Sequence, residues 1–309
     1  MSDPKFPIID AHQHFWDPLS NYHPWLRDDP PIPFRYGDYS ALRDRPFLPP
    51  EYLAAAGPHD IVQTVYIETE WDPSDPAGEL DWVHALHADT GFPNAVVAQA
   101  WLDREDAAEV LADAASRALV RSVRHKPASA GSAAVATRDG PGSMDDRRWR
   151  DGFSKLHEHG LYFDLQTPWW HLDAALDLAR DFSDATIVLN HTGLPADRSD
   201  AGLQGWHAAM SRLAEADNVV VKISGIGVPG TPWTVQANSW IVTETIQMFG
   251  VARCMFASNF PVDGLVVGMT ELFAGFRDIV RGYSEADQRA LFHDNALRIY
   301  RPVPAASKV

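Results

Sequence analysis

The sequence predicts an α/β protein built as a single (β/α)8 TIM barrel over residues 1–309, and three observations carry that prediction. Eight short runs rich in apolar and β-branched residues recur along the chain. Between most of them lie stretches with apolar residues at three- and four-residue steps, the period of an amphipathic helix. No Gly-rich dinucleotide fingerprint follows any of the runs, which argues against an open doubly wound sheet. A chain of 309 residues with 45% hydrophobic content has room for one large barrel or two ordinary domains. No Pro/Gly/Ser linker divides it into halves, so one domain is expected.

The first strand is expected at residues 7–15, Pro7-Ile8-Ile9-Asp10-Ala11-His12-Gln13-His14-Phe15. Strand alternation sends Asp10, His12 and His14 to one face and Ile9, Ala11 and Gln13 to the other. A long loop, 16–50, follows. Its aromatic residues Tyr22, Trp25, Phe34, Tyr36 and Tyr39 suit either a satellite core or contact with substrate. The second strand spans 61–68 and its helix 79–90; the third spans 95–102 and its helix 103–119. The fourth, 120–126, leads through a second long loop, 127–144, to a helix at 145–159. Strands at 161–167, 186–191 and 219–226 alternate with helices at 171–182, 203–216 and 236–249. An eighth strand is expected at 254–260. Gly91, Gly160 and Gly250 each follow a helical stretch, where a left-handed cap is expected.

Composition narrows the function. A formal net charge of −16 without a basic run argues against a nucleic-acid partner, whose phosphates need clustered Lys and Arg. Cys254 is the only cysteine, so an internal disulfide and a Cys-based zinc cluster are excluded and a reducing compartment fits. Strand-like sequence starts within about seven residues of the first, which leaves no room for a signal peptide, and no stretch approaches the ~20 apolar residues of a membrane span. The expectation is a cytoplasmic protein that acts on a small molecule, with no membrane partner; a homo-oligomer remains open.

In a barrel the chemistry sits where strands end, and these ends are polar. The first carries His12 and His14, the second Glu68, the fourth Arg124, His125 and Lys126, the fifth Gln166, the sixth Asn190 and His191. The seventh carries Lys222 and Ser224, the eighth Ser258, Asn259 and, past Pro261, Asp263. Singly, Glu68 or Arg124 reads as half of an ion pair, Lys222 as the buried partner of an acid, and Gln166 as a satisfied amide. His12, His14 and His191 together match a catalytic metal site in ligand count. His84, His87, His157 and His159 fall on helical stretches and read as surface or packing residues.

The segments Asp10-Ala11-His12-Gln13-His14-Phe15-Trp16-Asp17-Pro18 and Tyr22-His23-Pro24-Trp25-Leu26 resemble the amidohydrolase-2 (amidohydrolase-related) family, and its lactonase branch best. The resemblance continues almost end to end through Glu68-Thr69-Glu70-Trp71-Asp72-Pro73, Val123-Arg124-His125, Val188-Leu189-Asn190-His191-Thr192-Gly193 and Met255-Phe256-Ala257-Ser258-Asn259-Phe260-Pro261. It implies a barrel of the metal-dependent-hydrolase type that cleaves carbon–oxygen bonds, typically in sugar-acid or aromatic-pathway lactones; some relatives are decarboxylases. It places the family's first-strand pair on His12 and His14 and its sixth-strand histidine on His191. These three would hold one divalent metal, zinc by preference, and metal-independent action stands as the alternative. The eighth-strand position, an Asp in many members, is Asn259 here, and an amide cannot take up a proton as a carboxylate does.

Three readings follow. In the first, a lactonase, water attacks a ring carbonyl polarised by His12, His14 or a metal they hold. Its candidate bases are His191, Glu68 and Asp263, and Trp25, Trp71, Arg124, His125 and Gln166 orient the substrate. Arg124 suits a carboxylate because of its planar fork. The second is a decarboxylase or other lyase or isomerase, and the third a catalytically silent ligand-binding barrel; both are motivated by Asn259.

Overall fold

Apolar strands joined by helical crossovers pair in parallel and bury both faces, one under helices and the other inside a closed sheet. The computed structural model, which describes residues 6–305, has this architecture. Its strands are β1 (Ile8–Gln13), β2 (Ile61–Ile67), β3 (Ala95–Gln99), β4 (Val120–Arg124), β5 (Tyr162–Leu165), β6 (Ile187–Leu189), β7 (Val219–Ile223) and β8 (Cys254–Phe256). They form one eight-stranded parallel sheet in sequence order. The seam between β8 and β1 closes just past the strands, where Asn259 N donates to His12 O and His14 N to Phe260 O, both at 2.8 Å. Of the expected 1–309 domain, residues 1–5 and 306–309 lie outside the described residues.

Eight helices cover the sheet: α1 (Pro49–Ala56), α2 (Gly78–Thr90), α3 (Ala107–Ser116), α4 (Arg147–Ser154), α5 (Leu172–Asp181), α6 (Asp200–Leu213), α7 (Val235–Phe249) and α8 (Met269–Ile279). A short α9 (Asn295–Tyr300) follows. The sequence reading placed no helix at α1, α8 or α9. α1 opens on Pro49-Pro50, which reads as loop although proline suits the first turn of a helix, and Glu51 accepts a bond from Leu48 N at 3.1 Å. Gly91 and Gly160 adopt the expected left-handed caps, at φ 82° and 64°. Among the described residues no helix is long and apolar enough to cross a membrane.

Two apolar layers result. Ile8, Phe15, Tyr66, Phe163, Trp149, Trp206, Phe256 and Phe276 pack between strands and helices. Ile9, Ala11, Val65, Ile67, Val97, Val188 and Met255 fill the barrel with Ile299 and Tyr300 of α9. This division corrects one expectation. Asp10 does not share a face with the histidines: its Oδ2 accepts from Tyr52 of α1 at 2.6 Å, among the outward residues, while Ile9 and Ala11 point inward. Between Asp10 and Gln13 three steps on β1 match only two on β2, from Thr64 to Tyr66. That bulge reverses the alternation, so His12 and His14 face the interior and Asp10 does not.

Each strand is shorter than its run suggested: His12, Arg124 and Lys222 lie within β1, β4 and β7, but His14, Glu68, Gln166, His191, Ser224 and Asn259 follow the ends of theirs. His191, Thr192 and Asn259 take left-handed conformations, at φ 56°, 49° and 55°, as does Glu70 at 52°. Such conformations cost non-glycine residues about 1 kcal/mol or more each and gather at functional sites.

Candidate functional site

The end of β1 and the turns after β1 and β6 bring the imidazoles together. The His12 ring centre lies 5.1 Å from that of His14 and 4.5 Å from that of His191. His14 Nδ1 is 2.9 Å from Ile67 O; a carbonyl only accepts, so Nδ1 carries the proton and Nε2 keeps its lone pair. A neutral His14 is therefore a proton acceptor and has no N–H with which to polarise a carbonyl, which corrects that part of its expected role. His191 Nδ1 lies 2.9 Å from Ser224 Oγ. Gly225 packs flat against the same ring: a Cβ there would sit 2.5 Å from Nδ1, and φ is +60°. Both ring nitrogens of His12 are buried without a hydrogen-bond partner among the described residues. Burial, reinforced by neighbouring cations, holds all three rings neutral: His14 is lowered to about 3, and His12 and His191 lie well below the usual histidine value.

Around them stand charged pairs. Arg124 Nε binds Glu68 Oε1 at 2.5 Å, its Nη2 donates to Glu68 O at 2.9 Å, and its Nη1 to Gln166 Oε1 at 3.0 Å. Burial alone would raise the Glu68 carboxyl, but Arg124 and then Lys126 outweigh it and keep Glu68 ionised. Lys126 pairs with Glu70. Asn259 Nδ2 donates to Asp263 Oδ1 at 2.6 Å, and the same oxygen accepts from Tyr36 OH at 2.8 Å, while Asp263 Oδ2 accepts from Gly225 N at 3.1 Å. With its amide nitrogen committed to a carboxylate, Asn259 turns its carbonyl oxygen the other way.

A cavity of about 230 Å³ opens on this cluster, lined by His14, His191, Asn259, Glu68, Arg124, Gln166 and Trp25 among others. Trp71 and His125 instead line an adjoining cavity of about 410 Å³ that shares Glu68, Arg124 and Trp25. Asp263 lies behind Asn259, fully buried, and His12 sits beneath the cavity. The sequence reading offered Trp25 and Phe34 of the first long loop as substrate contacts but did not single out Trp16, Ile32, Pro33 and Arg35, which also wall the cavity. Aromatic clustering in that loop was the available signal. It also forms the satellite core, with Trp16, Leu26, Tyr36, Tyr39 and Leu42. His84 and His87 bond to Leu80 O at 2.7 Å and Pro93 O at 2.6 Å, as packing residues do.

The residues fit a metal only in part. The unpartnered nitrogens of His12 and the free Nε2 of His14, with its Nδ1–H on a backbone carbonyl, have the chemistry of metal ligands. Among the described residues, however, no three His, Cys, Asp or Glu converge so as to hold one ion, and Asn259 supplies no carboxylate. These side chains as placed do not make up a metal centre.

Below the histidines, Lys222 Nζ binds Asp164 Oδ1 at 2.5 Å with both side chains fully buried. Asp164 also accepts from Ser122 Oγ, Asn190 Nδ2 and Tyr300 OH, at 2.7, 2.9 and 2.9 Å. The sequence alternative of Lys222 as the partner of a buried acid is thus the arrangement found.

Residues 9–301 match the family model described as Amidohydrolase. The chain is 39% identical over 301 residues to the uncharacterized protein y4mH of Sinorhizobium fredii, covering 97% of this chain and 100% of that one. It is 29% identical over 261 residues to an L-fucono-1,5-lactonase of Burkholderia ambifaria, covering 83% and 81%. Its fold superposes on crystal structures of an amidohydrolase from Burkholderia multivorans. The form with bound HEPES gives a TM-score of 0.76 at 24% identity, and the form with bound zinc 0.74 at 22%; each comparison covers 96% of this chain and 99% of the other. At such identity these structures speak to the fold alone.

Proposed function

Because the chain belongs to the amidohydrolase family, we propose that it is a hydrolase that opens a small sugar-acid or carboxylated lactone by attack of water at the ring carbonyl. The observation that carries the reading is the His14 ring, a buried neutral imidazole that lines a cavity sized for a small molecule with the Asn259 side chain beside it. The likeness to an L-fucono-1,5-lactonase supports the lactone as substrate.

In this reading His14 Nε2 takes a proton from water as the water oxygen bonds to the carbonyl carbon. Asn259 Oδ1 accepts the second water hydrogen and so aims the nucleophile. His191 lines the cavity, and its Nε2–H, with Nδ1 accepting from Ser224 Oγ, stabilises the developing oxyanion; stabilisation of that kind usually contributes most of the rate enhancement in acyl transfer. Collapse breaks the ring C–O bond, and the proton held by His14 passes to the departing ring oxygen, which becomes the hydroxyl of a hydroxy acid. Glu68 and Asp263, candidate bases from sequence, serve other ends: Glu68 is spent on Arg124 and Asp263 on Asn259, Tyr36 and Gly225. Gln166 and Trp25 contact the substrate directly, and Trp71 and His125 shape its approach through the adjoining cavity. No step requires a metal.

The test is a pH-indicator screen of aldonolactones and carboxylated lactones with wild type and His14→Ala. Acid release that falls by about 10²-fold or more in the variant, the scale of a lost general base, supports the reading; no turnover of any lactone, with or without added divalent ions, ends it. A second reading, decarboxylation, is favoured by the amide at 259, since that chemistry need not use a carboxylate base. Carbon dioxide release from a small aromatic acid discriminates the two.

A further inference from the structure

Three cations line the cavity that bears the histidines: Arg35, Arg124 and Lys126. Two are neutralised in place, Arg124 by Glu68 and Lys126 by Glu70. Arg35 differs, because among the described residues its guanidinium makes no ion pair with any acid. Its Nη2 donates to Tyr36 OH at 2.5 Å and to the Gly225 carbonyl, both neutral acceptors. The guanidinium also lies 4.4 Å from the centre of the Tyr36 ring. Asp263, the acid on the far side of Tyr36, feels the charge of Arg35 but has both oxygens occupied by Asn259, Tyr36 and Gly225.

These contacts pin the head group of an otherwise exposed loop residue beside the catalytic cluster. Gly225, whose carbonyl it holds, packs against the His191 ring, and after burial itself Arg35 weighs most among the charges that keep that ring neutral. Among the described residues only Nη2 is engaged, so the donors on Nε and Nη1 are left to meet an anionic group, each by a single charge-assisted hydrogen bond. The charge of the whole molecule gives such a cation a use. At −16 the protein's field repels anions, so an anionic substrate needs a local cation that no acid has already paired.

We propose that Arg35 receives an anionic group on the substrate, so that this site takes small lactones bearing a carboxylate in preference to neutral sugar lactones. The proposal rests on the hydrolase reading above and decides between its two substrate classes. The apolar wall of Trp16, Trp25 and Phe34 would cover the ring while its carboxylate reaches Arg35.

The test compares wild type, Arg35→Gln and Arg35→Lys on a lactone with a carboxylate substituent and on its neutral hydroxymethyl analogue, with thermal melts to verify folding. Wild type should favour the carboxylated lactone. Arg35→Gln should lose about 10- to 100-fold in kcat/KM for it, mainly through KM, as expected for a charge-assisted pair. The loss on the neutral analogue should be at least tenfold smaller, and Arg35→Lys should recover part of the preference. Equal losses on both lactones, or a wild-type preference for the neutral one, overturn the proposal. Calorimetric binding of the same two compounds reads Arg35 without turnover. If neither is hydrolysed but the carboxylated one binds more tightly through Arg35, the anion site stands and the lactonase reading alone fails; equal binding overturns the anion site.

Discussion

Asn259 shows how one residue was legible in the sequence and its meaning was not. The sequence identifies an amide where an acid is usual; the fold places Asp263, one turn on, with an oxygen 2.6 Å from that amide nitrogen. Both residues are almost wholly buried, at 2% and 0% exposure. Asn259→Asp therefore sets two carboxylates in contact where both cannot ionise. We expect kcat/KM to fall by about tenfold or more rather than rise, in line with the cost of an unsatisfied buried charge. Asn259→Asp/Asp263→Asn, which re-forms an amide–carboxylate pair, should recover folded stability in a thermal melt. A single variant more active than wild type would refute this account. His14 is a similar case: its position could be read from the chain, but its tautomer comes from Ile67, a residue more than fifty positions away.

At the scale of elements, two buried carboxylates tie the strands together. Asp10 joins β1 to the turn after β8 through Ser258 N at 2.8 Å and Ser258 Oγ at 2.5 Å, and reaches α1 through Tyr52. Asp164 on β5 joins β4, β7 and α9 through Ser122, Lys222 and Tyr300. Burial lowers the Lys222 ammonium to about 8, and Asp164 opposes that fall. Lys222→Met removes the cation and leaves Asp164 buried without its charge partner. Loss of about 3–5 kcal/mol is expected from breaking such a pair, read as a lower urea midpoint; a variant as stable as wild type would show that the other donors to Asp164 suffice. Strand existence was readable here because hydrophobic runs are local. The bulge in β1 was not, since it depends on register against β2, and this is why Asp10 was assigned to the wrong face.

Over the whole molecule, buried neutral histidines set the response to acid. Unfolded, His12, His14, His23 and His191 would each take up a proton as pH falls through about 6.5. Folded, burial holds His23 to about 4 and His14 to about 3, with His12 and His191 also well lowered. The unfolded chain then binds more protons, so stability present above pH 6.5 is lost as pH falls through that value. Glu79 opposes them: burial and Glu68 raise it to about 7, so between 7 and 4.5 the folded state gains one proton first. His59, His84, His125 and His171 are lowered by burial as well, and Asp10 and Asp263 raised by it. The imidazoles outnumber the carboxyls, so a net loss on the order of several kcal/mol between pH 7 and 5 is expected, which urea midpoints at pH 7, 6 and 5 will measure; a flat profile would contradict the burial of these rings. The barrel, its eight strands in order and the residues at their ends are legible in the chain, because apolar periodicity and strand-end polarity are written over short distances. Which of those residues meet, which are spent on one another and which are left to a substrate is settled by packing between distant segments. Those outcomes depend on strand register and on a loop folding back over the barrel mouth, where Arg35, unremarkable in the chain, becomes the one cavity-lining cation among the described residues that no acid pairs.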